Sequence, residues 1–171
     1  MPFTPFHFGP ALFGKCVAPV RLSWLAFVAA QVVIDCETLF FLVQGAYPVH
    51  RFFHTLVGAA LAGLGTGIVF AGLARRLDPR SLMPTGWEDL AGPSVRSEIS
   101  PGAVMAGAVI GALSHPILDG IMHPDVRPFA PWSDSNPLLR VVGLDVLHVG
   151  CVVLGVVGLV VMVARLRRER A

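Results

Sequence analysis

The sequence predicts an all-α fold, a polytopic membrane helix bundle, and three observations predict it. Residues counted as hydrophobic make up 54% of the 171 and charged residues only 14%, where a soluble domain carries about 25% charge. Mean hydropathy is +0.70. Four apolar stretches have the roughly 20-residue length at which a helix crosses the hydrocarbon core. This composition excludes a disordered chain and argues against an ordinary soluble globule. The 18 glycines fit the same class, because Gly is commoner in transmembrane helices than in soluble ones.

The elements follow in order. Residues 8–20 are apolar but too short to span, and they contain Pro10 and Lys15; they predict a re-entrant or interfacial helix. Residues 22–43 form the first candidate span, apolar except for Ser23, Gln31, Asp35, Glu37 and Thr38. Residues 55–73 form the second, bounded by His54 and by Arg75 and Arg76. A polar, proline-rich stretch at about 75–101 reads as an exposed loop. Residues 102–122 form the third span and carry Ser114, His115 and Asp119. A second loop at about 123–139 holds Pro124, Pro128, Pro131 and Pro137. Residues 141–164 form the last span, with Asp145 and His148, followed by a basic tail at 165–171. The chain reads as a single integral membrane domain over 1–171, about four spanning helices plus the short N-terminal one. No repeat, low-complexity tract or cleavable signal peptide is apparent.

Lys and Arg set orientation. The Arg-rich loop and the basic tail fall on one side, which predicts cytoplasmic N- and C-termini in the inner (plasma) membrane of a bacterium, with the His50 turn and the His123 loop outside. A net charge of +2 with scattered basic residues argues against nucleic-acid partners; the expected partner is the lipid bilayer. Cys16, Cys36 and Cys151 contain no C-x-x-C pair and read as small apolar residues.

Ionisable groups inside a membrane are costly, and each is a functional candidate. Here they recur at helical spacing. His50 and His54 are read as opening one helix from a shared face; His115, Asp119 and His123 as closing another; Asp145 and His148 as opening the last. Antiparallel helices would bring such pairs to one depth and one site. Neutral imidazole and carboxylate in an apolar surround suit a divalent metal, zinc foremost. The core set is His54, His115 and Asp119, all within apolar runs, with His50, Asp35 or His7 completing the shell. Asp35 or Glu37 is the candidate general base. Against this stands the plainer reading, in which each His is a hydrogen-bonded packing residue and Asp145 pairs with Arg140 or caps a helix. Arg51 and Arg127 are candidate substrate contacts. The Arg127 loop reads equally as an interfacial segment anchored by Phe129 and Trp132.

These residues carry a resemblance. An early His7, the acidic Ile34-Asp35-Cys36-Glu37, the His-Arg-x-x-His of His50 to His54 and the Ser-His-x-x-x-Asp of Ser114 to Asp119 together resemble the YdjM-like group of inner-membrane-associated, metal-dependent hydrolases. The likeness runs from His7 to about Asp125. It implies a multi-helix inner-membrane protein whose polar set is His7, Asp35, His50, His54, His115 and Asp119. The acidic element departs from the group's usual Pro-Asp-x-Asp, and Pro116 follows His115 where that helix usually lacks proline.

The leading expectation is a membrane-embedded hydrolase using metal-activated water on a lipid-type or membrane-accessible ester or phosphoester. One alternative is a b-type haem protein carrying electrons between paired histidines, although so many carboxylates are foreign to haem ligation. Another is a non-enzymatic membrane protein or a transporter, which would want polar residues through the whole depth. Residues 56–73 and 152–163 are nearly free of them.

Overall fold

The computed structural model describes residues 5–76 and 96–169, and all regular elements among them are helices. They are α1 (Phe8–Val17), α2 (Trp24–Val43), α3 (Leu56–Arg76), α4 (Pro101–Met122) and α5 (Leu144–Glu169), with 3-10 turns at Pro5–His7 and Phe52–His54. Helices α2 to α5 are long and apolar enough to cross a membrane, with mean hydropathies of 1.9, 2.0, 1.5 and 2.7. Helix α1, at 10 residues, is the short one expected.

The boundaries depart from expectation at three places. Most of the loop read at about 75–101 lies outside the described residues, but its edges are helical: α3 continues through Arg75 and Arg76, and α4 begins at Pro101. The basic tail is largely the end of α5, whose last turn holds Arg167 and Arg168, where cations meet the partial negative charge of a helix C-terminus. Helix α3 begins at Leu56 and not at His50.

Local chemistry accounts for the starts. The Ser23 hydroxyl accepts the Ala26 N–H at 3.1 Å and caps α2. Pro101 occupies the first turn of α4, where a missing N–H costs nothing. Thr55 caps α3 by accepting the Gly58 N–H at 2.9 Å.

Helix α4 packs against both α2 and α3, and α1 packs against α5. Small residues allow this. A Cβ at Gly107 would lie 2.1 Å from the Ser23 carbonyl oxygen, so the α2 and α4 backbones touch, the usual membrane solution in which helices gain contact area instead of hydrophobic drive. Ala26, Ala30, Ile34, Ala59, Val104, Ala108 and Ala112 form the fully covered core. Helix α5 leaves most of its surface open, only 11% of its span being buried, as a lipid-facing helix does.

One end of the bundle is tied by charge: buried Lys15 meets Glu98 at 2.6 Å, and Glu98 also accepts the Leu25 N–H at 2.9 Å. The opposite end, where α2 and α4 finish and α1, α3 and α5 begin, gathers the histidines.

Candidate metal centre

The α2 face toward α4 buries Gln31, Asp35 and Thr38, spaced at i, i+4 and i+7 on one side of the helix. Across from it α4 buries His115 and Asp119, one turn apart, and Pro116 between them does not end the helix. These residues are all within 8% of full burial.

The His50–His54 segment reaches the same place by a different route from the one expected. Residues 50–55 are not helical save for the 3-10 turn at Phe52–His54. Glu37 accepts the backbone N–H groups of Arg51 and Phe53 at 3.2 and 2.9 Å, which bends the segment over the end of α2. The turn also folds onto α3, since a Cβ at Gly58 would sit 1.8 Å from the Phe52 carbonyl oxygen. The rings of His50 and His54 meet at 4.7 Å, through this turn and not through a shared helical face.

His123 likewise breaks the expected pattern. It is the extended residue that ends α4 (φ −115°, ψ 127°), and its ring stacks on His50 at 4.6 Å. Asp145 is exposed and His148 lies against Phe6 at 4.5 Å, so α5 does not join the site. The third contribution comes from α2. His7, in the turn before α1, does join, its ring meeting that of His115 at 4.7 Å.

Asp119 is the hub. Its Oδ2 lies 3.2 Å from His115 Nε2, 3.4 Å from His54 Nε2 and 3.9 Å from His50 Nε2. Its Oδ1 lies 3.3 Å from His7 Nε2. Asp35 Oδ1 is 3.4 Å from His115 Nε2.

The other ring nitrogens fix the tautomers. Gln31 donates its amide N–H groups to Gly111 O at 3.1 Å and to Ser114 Oγ at 3.2 Å, so its carbonyl oxygen faces Nδ1 of His115 and that nitrogen carries the proton. His54 Nδ1 lies 3.3 Å from Glu37 Oε2, and His50 Nδ1 lies 2.9 Å from Asp125 Oδ1. A neutral imidazole has one proton. Each Nε2 is then left facing carboxylate oxygens, where a proton or a cation must lie between them. His115 Nε2 and Asp119 Oδ1 are buried without a hydrogen-bond partner, as are both ring nitrogens of His7.

A cation fits that arrangement. One ligand atom each from Asp35, His54, His115 and Asp119 lie within 4.8 Å of one another. The separations of 3.2 and 3.4 Å from Asp119 Oδ2 to His115 and His54 match the edge of a tetrahedral shell with metal–ligand bonds of about 2.0–2.1 Å, which is roughly 3.3 Å. The donors are nitrogen and oxygen throughout, a set for a borderline or hard divalent ion. A haem does not fit: the His50/His54 and His54/His115 rings, 4.7 and 5.1 Å apart, leave no room for a macrocycle.

At the rim, burial lowers the pKa of His50, helped by nearby His54, and burial lowers that of His123. For His54 burial opposes the charge, but the hydrogen bonds to Asp119 and Glu37 outweigh it and raise the pKa. Burial also opposes charge on Asp125, and the His50 hydrogen bond prevails to hold it below the usual carboxylate value.

Arg51 is exposed, with its guanidinium 3.6 Å over the Phe41 ring. Arg127 pairs with Asp134 at 2.9 Å and not with the cluster. Three participants were not assigned from sequence. Asp125 and Gln31 hold imidazoles in place, and Thr38 Oγ1 lies 3.3 Å from His54 Nε2. Gln31 had a detectable signal: an amide one turn before Asp35 on an otherwise apolar helix.

The sequence matches the family described as YdjM inner membrane protein over residues 5–171. No curated protein and no solved structure matches the chain.

Proposed function

The chain belongs to the YdjM inner membrane protein family, and from that premise and the buried His/Asp cluster we propose a metal-dependent hydrolase acting on a membrane-accessible ester or phosphoester. The observation that carries this reading is the convergence of buried imidazole Nε2 atoms on carboxylate oxygens, as at His115 and Asp119, where Nε2 has no hydrogen-bond partner.

His54, His115 and Asp119 would hold the ion, with His7 and His50 flanking Asp119. A bound zinc ion would supply Lewis acidity and bring the pKa of water to about 7.

The remaining roles belong to the chain. Asp35 is the base: its carboxylate lies beside His115, and its side chain, 12% exposed against 4% for Asp119, is the better placed to pass a proton outward from Oδ1. Glu37 positions His54 instead, being taken up by that ring and by two backbone N–H groups. Burial of the cluster excludes bulk water from the ligand atoms, which strengthens their electrostatics. Arg51, exposed beside this end of the bundle, receives an anionic head group, with Arg127 farther out. The bias of Lys and Arg supports an orientation with both termini cytoplasmic and the histidine end of the bundle outside.

The test uses purified protein in mild detergent with lipid esters and phosphoesters. Turnover should vanish on chelation, return with zinc, and be lost in Asp35→Asn while that variant keeps its metal. Turnover indifferent to chelation, or unchanged in Asp35→Asn, would overturn the reading.

A further inference from the structure

We propose that this centre takes two cations, the second held at its rim by His50, His123 and Asp125. The inference rests on the reading of the buried cluster as a metal centre and goes beyond it in ion count and in the residues assigned.

Three observations carry it. The first is geometric. His50, His123 and Asp125 each offer a ligand atom, and these lie within 4.8 Å of one another. They form a set separate from that of Asp35, His54, His115 and Asp119. The two sets abut, with His50 Nε2 3.9 Å from Asp119 Oδ2. In paired sites the two ions stand about 3.5–4 Å apart, so ligand sets this close can serve adjacent ions; Asp119 Oδ2, which faces His115 and His54 of the inner set and His50 of the rim set, suits the shared position.

The second is the state of His123. Its ring stacks on His50, and its nitrogens form no hydrogen bond among the described residues. Pro124, the residue after it, prevents the helix from running on, and the extended backbone at His123 turns the ring inward over His50.

The third is charge. Asp35, Glu37, Asp119 and Asp125 bring four negative charges, and among the described residues their ion-pair partners are all histidines. With neutral imidazoles, one divalent ion would leave a charge of about −2 at the end of a membrane bundle, where an uncompensated charge is costly. Two would balance it. The Asp125 carboxylate is held ready, its Oδ2 accepting the Val49 and His50 backbone N–H groups at 3.2 and 3.3 Å. The rim set is also the more open one, His123 and Asp125 being partly exposed while the inner four are buried. It is therefore the position from which an anionic substrate would meet the ions.

The test is metal stoichiometry on full-length protein in mild detergent, loaded with Zn²⁺ or Co²⁺ and desalted, alongside a Co²⁺ titration followed by visible d–d absorption. Wild type should hold two ions per chain and titrate in two steps. His123→Ala and Asp125→Asn should each hold one, with unchanged helical circular dichroism. One ion in wild type, or two retained in both variants, overturns the proposal and leaves Asp125 as a positioning partner of His50. No ion in wild type overturns the reading of the inner cluster too, so the two failures are distinguishable.

Discussion

Gln31 on α2 turns the imidazole of His115 on α4. Its amide nitrogen is anchored on Gly111 O and Ser114 Oγ, its oxygen meets Nδ1, and Nε2 is left to face Asp119 at 3.2 Å. A neutral amide therefore decides which nitrogen of a buried histidine is free for a ligand bond. Residues that hold a ligating ring in this way are typically worth 10–100-fold in metal affinity.

Gln31→Ala should accordingly weaken metal binding about 10- to 100-fold while the protein stays folded. Gln31→Glu, which keeps an acceptor for Nδ1, should retain most of it. Competition against a chelator of known affinity measures both. Equal affinity in wild type and Gln31→Ala would remove Gln31 from the account.

Gly58→Ala should disturb the site from a distance. The added Cβ would meet the Phe52 carbonyl oxygen at 1.8 Å, so the turn that carries His54 must move. A cost of about 1–3 kcal/mol is expected for such overpacking, seen as a lower midpoint in thermal melting, together with weaker metal binding. Gly65→Ala, where nothing lies within 4 Å, is the control and should do neither.

Much of this was legible in the sequence, for identifiable reasons. The four spans stand out because hydropathy and length alone determine them, and the i,i+4 pair His115/Asp119 does lie on one buried face. The turn at His50–His54 was not legible as a turn. Its shape depends on Glu37 capturing two backbone N–H groups and on a Cβ missing at Gly58, both contacts with other elements. Spacing likewise put His123 on the helical face of His115 and Asp119, whereas α4 ends at Met122 and His123 is extended. Asp145 and His148, three apart, also share a helical face but sit on a helix that faces outward. Spacing identifies a shared face, and tertiary packing decides what that face meets.

The pH dependence of the metal-free protein tests the Asp125–His50 pair. A carboxylate whose folded pKa lies below its ordinary 3.8 contributes stability that is present above that value. The contribution is lost as pH falls through the depressed folded pKa. Asp125→Asn should therefore melt lower than wild type at pH 5 and above, and the difference should close under strong acid. A difference that persists undiminished into acid would assign the effect to packing instead of charge.

Arg51→Ala should raise KM for an anionic lipid substrate with kcat and metal content unchanged, because a contact made equally to bound substrate and transition state affects binding alone. Arg127→Ala should have the smaller effect, since Arg127 is already paired with Asp134. A fall in kcat with unaltered KM in Arg51→Ala would assign it another role.

The most direct measurement is X-ray absorption at the metal edge of the zinc-loaded protein. A nitrogen/oxygen shell at about 2.0–2.1 Å is expected, with the outer scattering of imidazole rings diminished in His115→Ala. A sulfur shell near 2.3 Å from cysteine, or a spectrum unchanged by His115→Ala, would contradict it.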